Sequence, residues 1–242
     1  MTAPRLIAGR APLLIIADHA SNAVPPGIDL GIDPALLGNH IAVDIGTEAL
    51  SAALAARLDA PGVIATVTRL VIDLNRDPAV RDVIPGASDG HVIPGNLALS
   101  ATERDLRIAA IHVPYHAAIA AQIDAIRPAL IVSVHSFTPA RATFPDEKRP
   151  WPIGILYNRN DAAARIAMPA LRLQGLNVGD NQPYSGRELN YTMDRHAEMN
   201  GIPYLGLEIR QDGLACASDI ARWRDLLAPV IAETLAIALG GQ

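Results

Sequence analysis

The chain has 242 residues and a formal charge of −5, with no basic run or aromatic-interleaved patch, which argues against a nucleic-acid partner. Half the residues are apolar but only 4% are aromatic, so the core must be aliphatic, and no apolar stretch reaches the roughly 18 residues that cross a bilayer. Cys216 is the single cysteine, which rules out an internal disulfide; with no leader-like N-terminal segment, a cytoplasmic protein is expected, of open oligomeric state.

The first element is the apolar run Leu13–Ala17, which ends at Asp18-His19 and reads as a strand buried on both faces. A short helix is predicted at Ala35–Asn39 after Asp33-Pro34. Thr47 then reads as the cap of a helix to Leu58, with Leu50, Leu54 and Leu58 on one face. Residues Val63–Val67 and Leu70–Leu74 are β-branched runs that read as a strand or a bent pair. A long Pro- and Gly-containing loop spans Asn75–Leu99.

Ser100-Ala-Thr-Glu103 is a capping box that opens a long helix to about Ile126, kinked at Pro114. Its apolar face is expected to comprise Leu106, Ala110, Val113, Ala117, Ala120 and Ile123. Strands are predicted at Ala129–Ser136, Ile153–Tyr157 and Tyr204–Ile209. Helices are predicted from Asp161, as a cap, to Leu173, over Tyr191–Asn200 closed by Gly201, and from about Ser218 to Leu239; 178–186 reads as loop and Cys216 as a small buried hydrophobe. This alternation predicts one α/β domain over 1–242 with a mainly parallel sheet.

Open α/β sheets carry their chemistry just beyond the carboxyl ends of the strands. His19, Asp44, His135 and Glu208 occupy such positions. Two imidazoles and one carboxylate are a ligand set for catalytic zinc, and a second carboxylate can take a proton from water. The competing reading is structural, because a strand-end histidine is more often a satisfied core residue. Arg69 and Arg76 offer forks for a substrate carboxylate or a developing oxyanion. Alternatively, they pair with Asp73, Asp77 or Asp82. His40 stands four residues before Asp44, as a ligand or as support for one. His91 and His196 read as structural, and no Gly-x-Ser-x-Gly elbow surrounds Ser21 or Ser136.

Seven segments, among them Asp18-His-Ala-Ser-Asn22, His40-x-x-x-Asp44-Ile-Gly-Thr47, Arg69-Leu-Val-Ile-Asp-Leu-Asn-Arg-Asp-Pro78, Pro114-Tyr-His116 and Leu207-Glu-Ile-Arg-Gln-Asp212, resemble the N-formylglutamate amidohydrolase family. The others are Ser133-Val-His-Ser-Phe-Thr-Pro139 and Gly179-Asp-Asn-Gln-Pro-Tyr-Ser-Gly186, and the match runs from about Leu13 to Trp223. The resemblance implies a three-layer αβα fold with a mainly parallel mixed sheet, similar to zinc carboxypeptidases, aspartoacylases and cell-wall amidases. It implies one Zn2+ or another divalent ion on His19, Asp44 and His135, with Glu208 and Arg69 catalytic and Asn75, Arg76 and His116 contacting substrate; Arg210, two residues beyond Glu208 and so on the same strand face, is expected to orient Glu208 or to help bind an acidic substrate. Where the carboxypeptidase pattern has His-x-x-Glu, this chain has Asn22. The implied partner is a small acidic N-acyl amino acid, most directly N-formyl-L-glutamate in histidine degradation. Alternatives are another N-acyl amino acid, a peptidoglycan-like amide, or a metal- or ligand-binding module without catalysis. Specificity is expected from the loops at 77–99 and 137–152.

Overall fold

A computed structural model describes residues 2–240. Strand β1 (Arg5–Ile7), which the sequence reading did not anticipate, precedes β2 (Leu13–Ala17). Helix α1 (Thr47–Leu58) leads to β3 (Gly62–Ile64). The loop that follows holds a hairpin of β4 (Ala87–Ser88) and β5 (His91–Val92), then the short α2 (Pro94–Leu97). Helices α3 (Ala101–Arg107) and α4 (Val113–Ile126) run into β6 (Leu130–Phe137). Next come β7 (Ile153–Leu156), α5 (Ala162–Leu173), β8 (Val178–Asp180), α6 (Tyr191–His196), β9 (Tyr204–Arg210) and α7 (Ala217–Gly240).

The main sheet has seven strands in the order β1-β3-β2-β6-β9-β7-β8. Pairings β3/β2, β2/β6, β6/β9 and β7/β8 are parallel, whereas β1/β3 and β7/β9 are antiparallel. Strand alternation sends Leu13 and Ile15 into one core with α1, α5 and α7. Leu14 and Ile16 enter a second core with Tyr115 and Ile119 of α4. The result is the expected αβα arrangement of a mainly parallel sheet. Each fully buried aliphatic side chain contributes about 1.5–3 kcal/mol relative to leaving it in water.

Several local expectations are corrected. Leu70–Leu74 is buried but is not a strand, because its amides are satisfied in turns and loops: Val71 and Ile72 donate to the Thr68 carbonyl and Asp73 to that of Val83. Residues 178–180, read as loop, form an edge strand against β7. Thr47 is the first residue of α1 and donates its hydroxyl to the Asp44 carbonyl; the cap position is Gly46. Asp161 makes no capping bond and pairs with Arg165. The helix expected over Tyr191–Asn200 is divided: α6 ends at His196, and Gly201, left-handed at φ +65°, closes a separate 3-10 turn at Glu198–Asn200.

The capping box of Ser100 and Glu103 forms as predicted. The long helix is interrupted by a π-helical turn at Ile108–His112, after which α4 starts at Val113-Pro114. Leu106 and Val113 of the expected apolar face are exposed, while Ile111, His112, Tyr115, His116 and Ile119 are buried. An Ala-rich helix offers two plausible faces, and the side that meets the end of β2 prevails. Cys216 is exposed at the start of α7, its sulfur against Ser218 and Asp219.

Candidate active site

Three parallel strands end side by side. β2 delivers Asp18 and His19, β6 delivers His135, and β9 delivers Glu208, the register partner of His135. Asp44 arrives from a loop whose backbone is tied to the same place, its N–H donating to the His19 carbonyl at 3.0 Å. The chain then enters α1 through Gly46, at φ +81°, where an added Cβ would lie 2.5 Å from that of Leu214. Glycine is required there both by conformation and by close approach. Gly154, beside Glu208 on β7, is equally confined: a Cβ would fall 1.9 Å from the Gln182 carbonyl.

His19, Asp44 and His135 each offer a ligand atom, all within 4.8 Å of one another. Asp44 Oδ2 is 2.9 Å from His135 Nδ1 and 3.4 Å from His19 Nδ1. Behind each ring stands another carboxylate: His19 Nε2 donates to Asp73 Oδ1 at 2.7 Å, and His135 Nε2 lies 3.4 Å from Asp18 Oδ2. Carboxylates in that position fix the tautomer and aim of metal-ligating imidazoles. With Nε2 of His19 engaged, its buried Nδ1 has no hydrogen-bond partner among the described residues and lies 3.4 Å from a carboxylate oxygen of Asp44. A lone pair aimed at an anion needs a proton or a cation between them.

Charge balance makes the same demand. Asp18, Asp44 and Asp73 are buried, and Arg69 bridges two of them, Nη1 to Asp44 at 3.2 Å and Nη2 to Asp73 at 2.9 Å. Burial by itself raises carboxyl pKa values, but the neighbouring imidazoles and Arg69 reverse this and hold Asp44 and Asp73 below the usual range. Burial likewise lowers imidazole pKa values, yet the facing aspartates raise that of His135 well above normal and that of His19 above normal. Two protons on the imidazoles, or one divalent cation in their place, neutralise the cluster. The residues therefore fit a divalent metal ion, which the two imidazole nitrogens and one carboxylate would hold.

Glu208 is the counterpart. Burial pushes its carboxyl up to about 7, and its Oε2 has no hydrogen-bond partner among the described residues. It lines a cavity of about 270 Å³ together with His19, Asp44, His135, Arg69, Asn75 and Arg76. The pairing of Arg69 with Asp73, one of the two sequence alternatives, is realised, and Arg69 lines the cavity as well. Arg76 stands at the rim, its Nε 3.7 Å from Asp73.

Other residues lie elsewhere. His116, expected to touch substrate, is not a lining residue: it is buried beneath the site, donating from Nε2 to the Leu74 carbonyl at 3.0 Å and contacting His196 at 2.9 Å. Arg210 also does not line the cavity; it pairs with Asp212 and with the Arg149 carbonyl. His40 lines the cavity and contacts Asp89 at 3.0 Å. Sequence reasoning gave no role to Asp18, although its contact with Tyr115 at 2.7 Å and with His135 makes it a support of the cluster. Its adjacency to His19 was the available signal. Both expected specificity loops reach the cavity, through Ser88 and Asp89 on one side and Thr138, Arg141 and Thr143 on the other.

An open αβα sheet with a buried His-Asp-His cluster and a carboxylate opposite at its strand ends defines a hydrolase-type site. The profile of the family described as N-formylglutamate amidohydrolase matches residues 11–215, and the chain belongs to that family. A gene product of Agrobacterium tumefaciens is similar in structure at TM-score 0.91 and 29% identity, over 98% of this chain and 96% of that one. An N-formylglutamate amidohydrolase from Ralstonia eutropha aligns at TM-score 0.75 and 22% identity, over 98% and 97% of the two chains. A bacteriophage poly-gamma-glutamate hydrolase shares the fold at TM-score 0.50 and 11% identity, over 98% and 91%. No match is found among curated proteins.

Proposed function

We propose that the protein hydrolyses the amide of a small N-acyl amino acid, N-formyl-L-glutamate to formate and L-glutamate, with a zinc ion held by His19, Asp44 and His135. The observation that supports this most directly is the position of Glu208, an unpaired buried carboxylate whose pKa is raised to about 7, on the same cavity as the three candidate ligands. A divalent cation at that cluster supplies Lewis-acid polarisation when bound. Glu208 takes a proton from the attacking water and returns it to the departing amine nitrogen as the C–N bond breaks. Arg69, fixed by Asp44 and Asp73, presents its guanidinium to the oxygen that gains charge. Asn75 and Arg76 hold the substrate carboxylate at the rim. Asp18 and Asp73 keep the two imidazoles in the ligating orientation.

Metal analysis of the purified protein, followed by a hydrolysis screen of N-formyl and N-acetyl amino acids, tests the proposal. Stoichiometric zinc with release of formate from N-formyl-L-glutamate is the expected result. Bound zinc without turnover of any acyl amino acid would make the protein a binding module, and turnover confined to another acyl group would change the substrate.

A further inference from the structure

We propose that Arg141 is the specificity residue of the cavity and binds the second carboxylate of a dicarboxylic N-acyl amino acid whose first carboxylate is held by Asn75 and Arg76. This rests on the hydrolase reading above and adds to it the residue that selects the second carboxylate of its substrate. Arg141 lies on the loop after β6 and lines the same cavity as Arg76.

Its charge is not fully balanced. Arg141 Nε donates to Glu147 Oε2 at 2.9 Å, and Arg149 Nε donates to that same oxygen at 2.9 Å. Arg149 has a fully buried side chain and is further fixed by the Thr138 carbonyl and the Tyr184 hydroxyl, so it cannot turn to another carboxylate. Two guanidiniums thus share one anion, and the surplus positive charge belongs to the more exposed Arg141, whose side chain is 30% accessible.

The fork is also held in place before any ligand arrives. Its guanidinium lies over the Phe144 ring, 4.4 Å from the centroid. The turn that follows Arg141 is pinned by Asp89, which accepts from the N–H groups of its two central residues, Ala142 and Thr143, at 2.9 Å each. Asp89 is itself an anion on the cavity wall, but its oxygens are occupied by those amides, by the Thr143 hydroxyl and by His40. With Nε directed at Glu147, the two Nη groups of Arg141 are left to meet a carboxylate side by side. A neutral side chain would make no use of this fork, and preorganisation turns the contact into discrimination.

The test compares the parent with Arg141→Met, which keeps the stem and removes the fork. For N-formyl-L-glutamate, kcat/KM should fall about 10- to 100-fold, with N-formyl-L-methionine essentially unaffected. Equal losses on both substrates, or no loss on either, would overturn the assignment. Calorimetric binding of glutarate and of butyrate to the metal-loaded proteins supplies a readout independent of turnover. The parent should prefer the dicarboxylate and the variant should lose that preference. A parent without the preference, or a variant that keeps it, refutes the role of Arg141. Absence of turnover with retained glutarate selectivity would instead refute the proposed hydrolysis and leave Arg141 as the carboxylate selector.

Discussion

His135 and Glu208 are register partners on adjacent parallel strands, so the sheet itself sets an imidazole beside a carboxylate at the cavity floor. They differ in surroundings. His135 is flanked by Asp18 and Asp44, whereas Glu208 Oε2 has no partner. One member is therefore suited to hold a cation and the other to move a proton.

Glu208→Gln preserves shape and removes the proposed base. Turnover should fall by about 10²–10⁴-fold, with metal content unchanged. Steady-state kinetics beside metal analysis checks this, and a fully active variant would reject the role.

The same residue shapes the stability of the metal-free protein. Its folded pKa of about 7 lies above the ordinary 4.5, so its neutral form is favoured on folding and the associated stability is lost as pH rises through about 7. Metal-free Glu208→Gln should therefore gain about 1–3 kcal/mol over the parent between pH 5 and pH 8. Urea unfolding at the two pH values measures the gain, and parallel curves would contradict it.

Asp44 is the acidic candidate ligand, and Asp44→Ala removes its charge and its contacts with both imidazoles and Arg69. We expect zinc to be lost on dialysis, and a strong chelator to lower Tm in the parent but not in this variant. Full zinc occupancy in Asp44→Ala would exclude it from the ligand set.

Arg69→Lys tests the fork. A lysine cannot reach Asp44 and Asp73 in the two-pronged geometry seen here, at 3.2 and 2.9 Å. kcat/KM should drop about 10²–10³-fold, the loss typical of one oxyanion donor. A variant that retains kcat while KM rises would make Arg69 a substrate anchor instead.

Beneath the site, His116 and His196 are buried as neutral rings. His116 donates from Nε2 to the Leu74 carbonyl, so its Nδ1 accepts from His196 Nε2, and protonating it would oppose two N–H groups. Burial lowers the pKa of His116 to about 3 and that of His196 to about 4. Because these folded pKa values lie below the ordinary 6.5, the stability they contribute is present above pH 6.5 and is lost as pH falls towards them. His196→Gln should flatten the decline between pH 6.5 and pH 4.5 by about 1.4 kcal/mol per pH unit. Denaturant titrations across that range are the check.

Much of this was legible along the chain. Leu13–Ala17 is a continuous apolar run, and Leu130–Phe137 and Tyr204–Arg210 are largely apolar, because central parallel strands are covered on both faces, and that composition survives in sequence. The residues at their ends follow automatically, which is why His19, His135 and Glu208 could be named. Leu70–Leu74 is the counterexample: it is as apolar as a strand and as buried, yet its amides close turns, and composition reports burial without reporting hydrogen-bond partners. Asp18 and Asp73 were likewise visible as residues but not as supports, since 54 positions separate His19 from Asp73 and only the folded chain brings them to 2.7 Å. By itself the sequence determined the central strands of the sheet, the family resemblance and the residue types of the site, while the edge strands β1 and β8 escaped it. Tertiary structure alone decided which carboxylate backs which imidazole, that His116 lies beneath the cavity, and that Arg141 shares its anion with a buried partner. Those are questions of distance between remote segments, which no local pattern encodes.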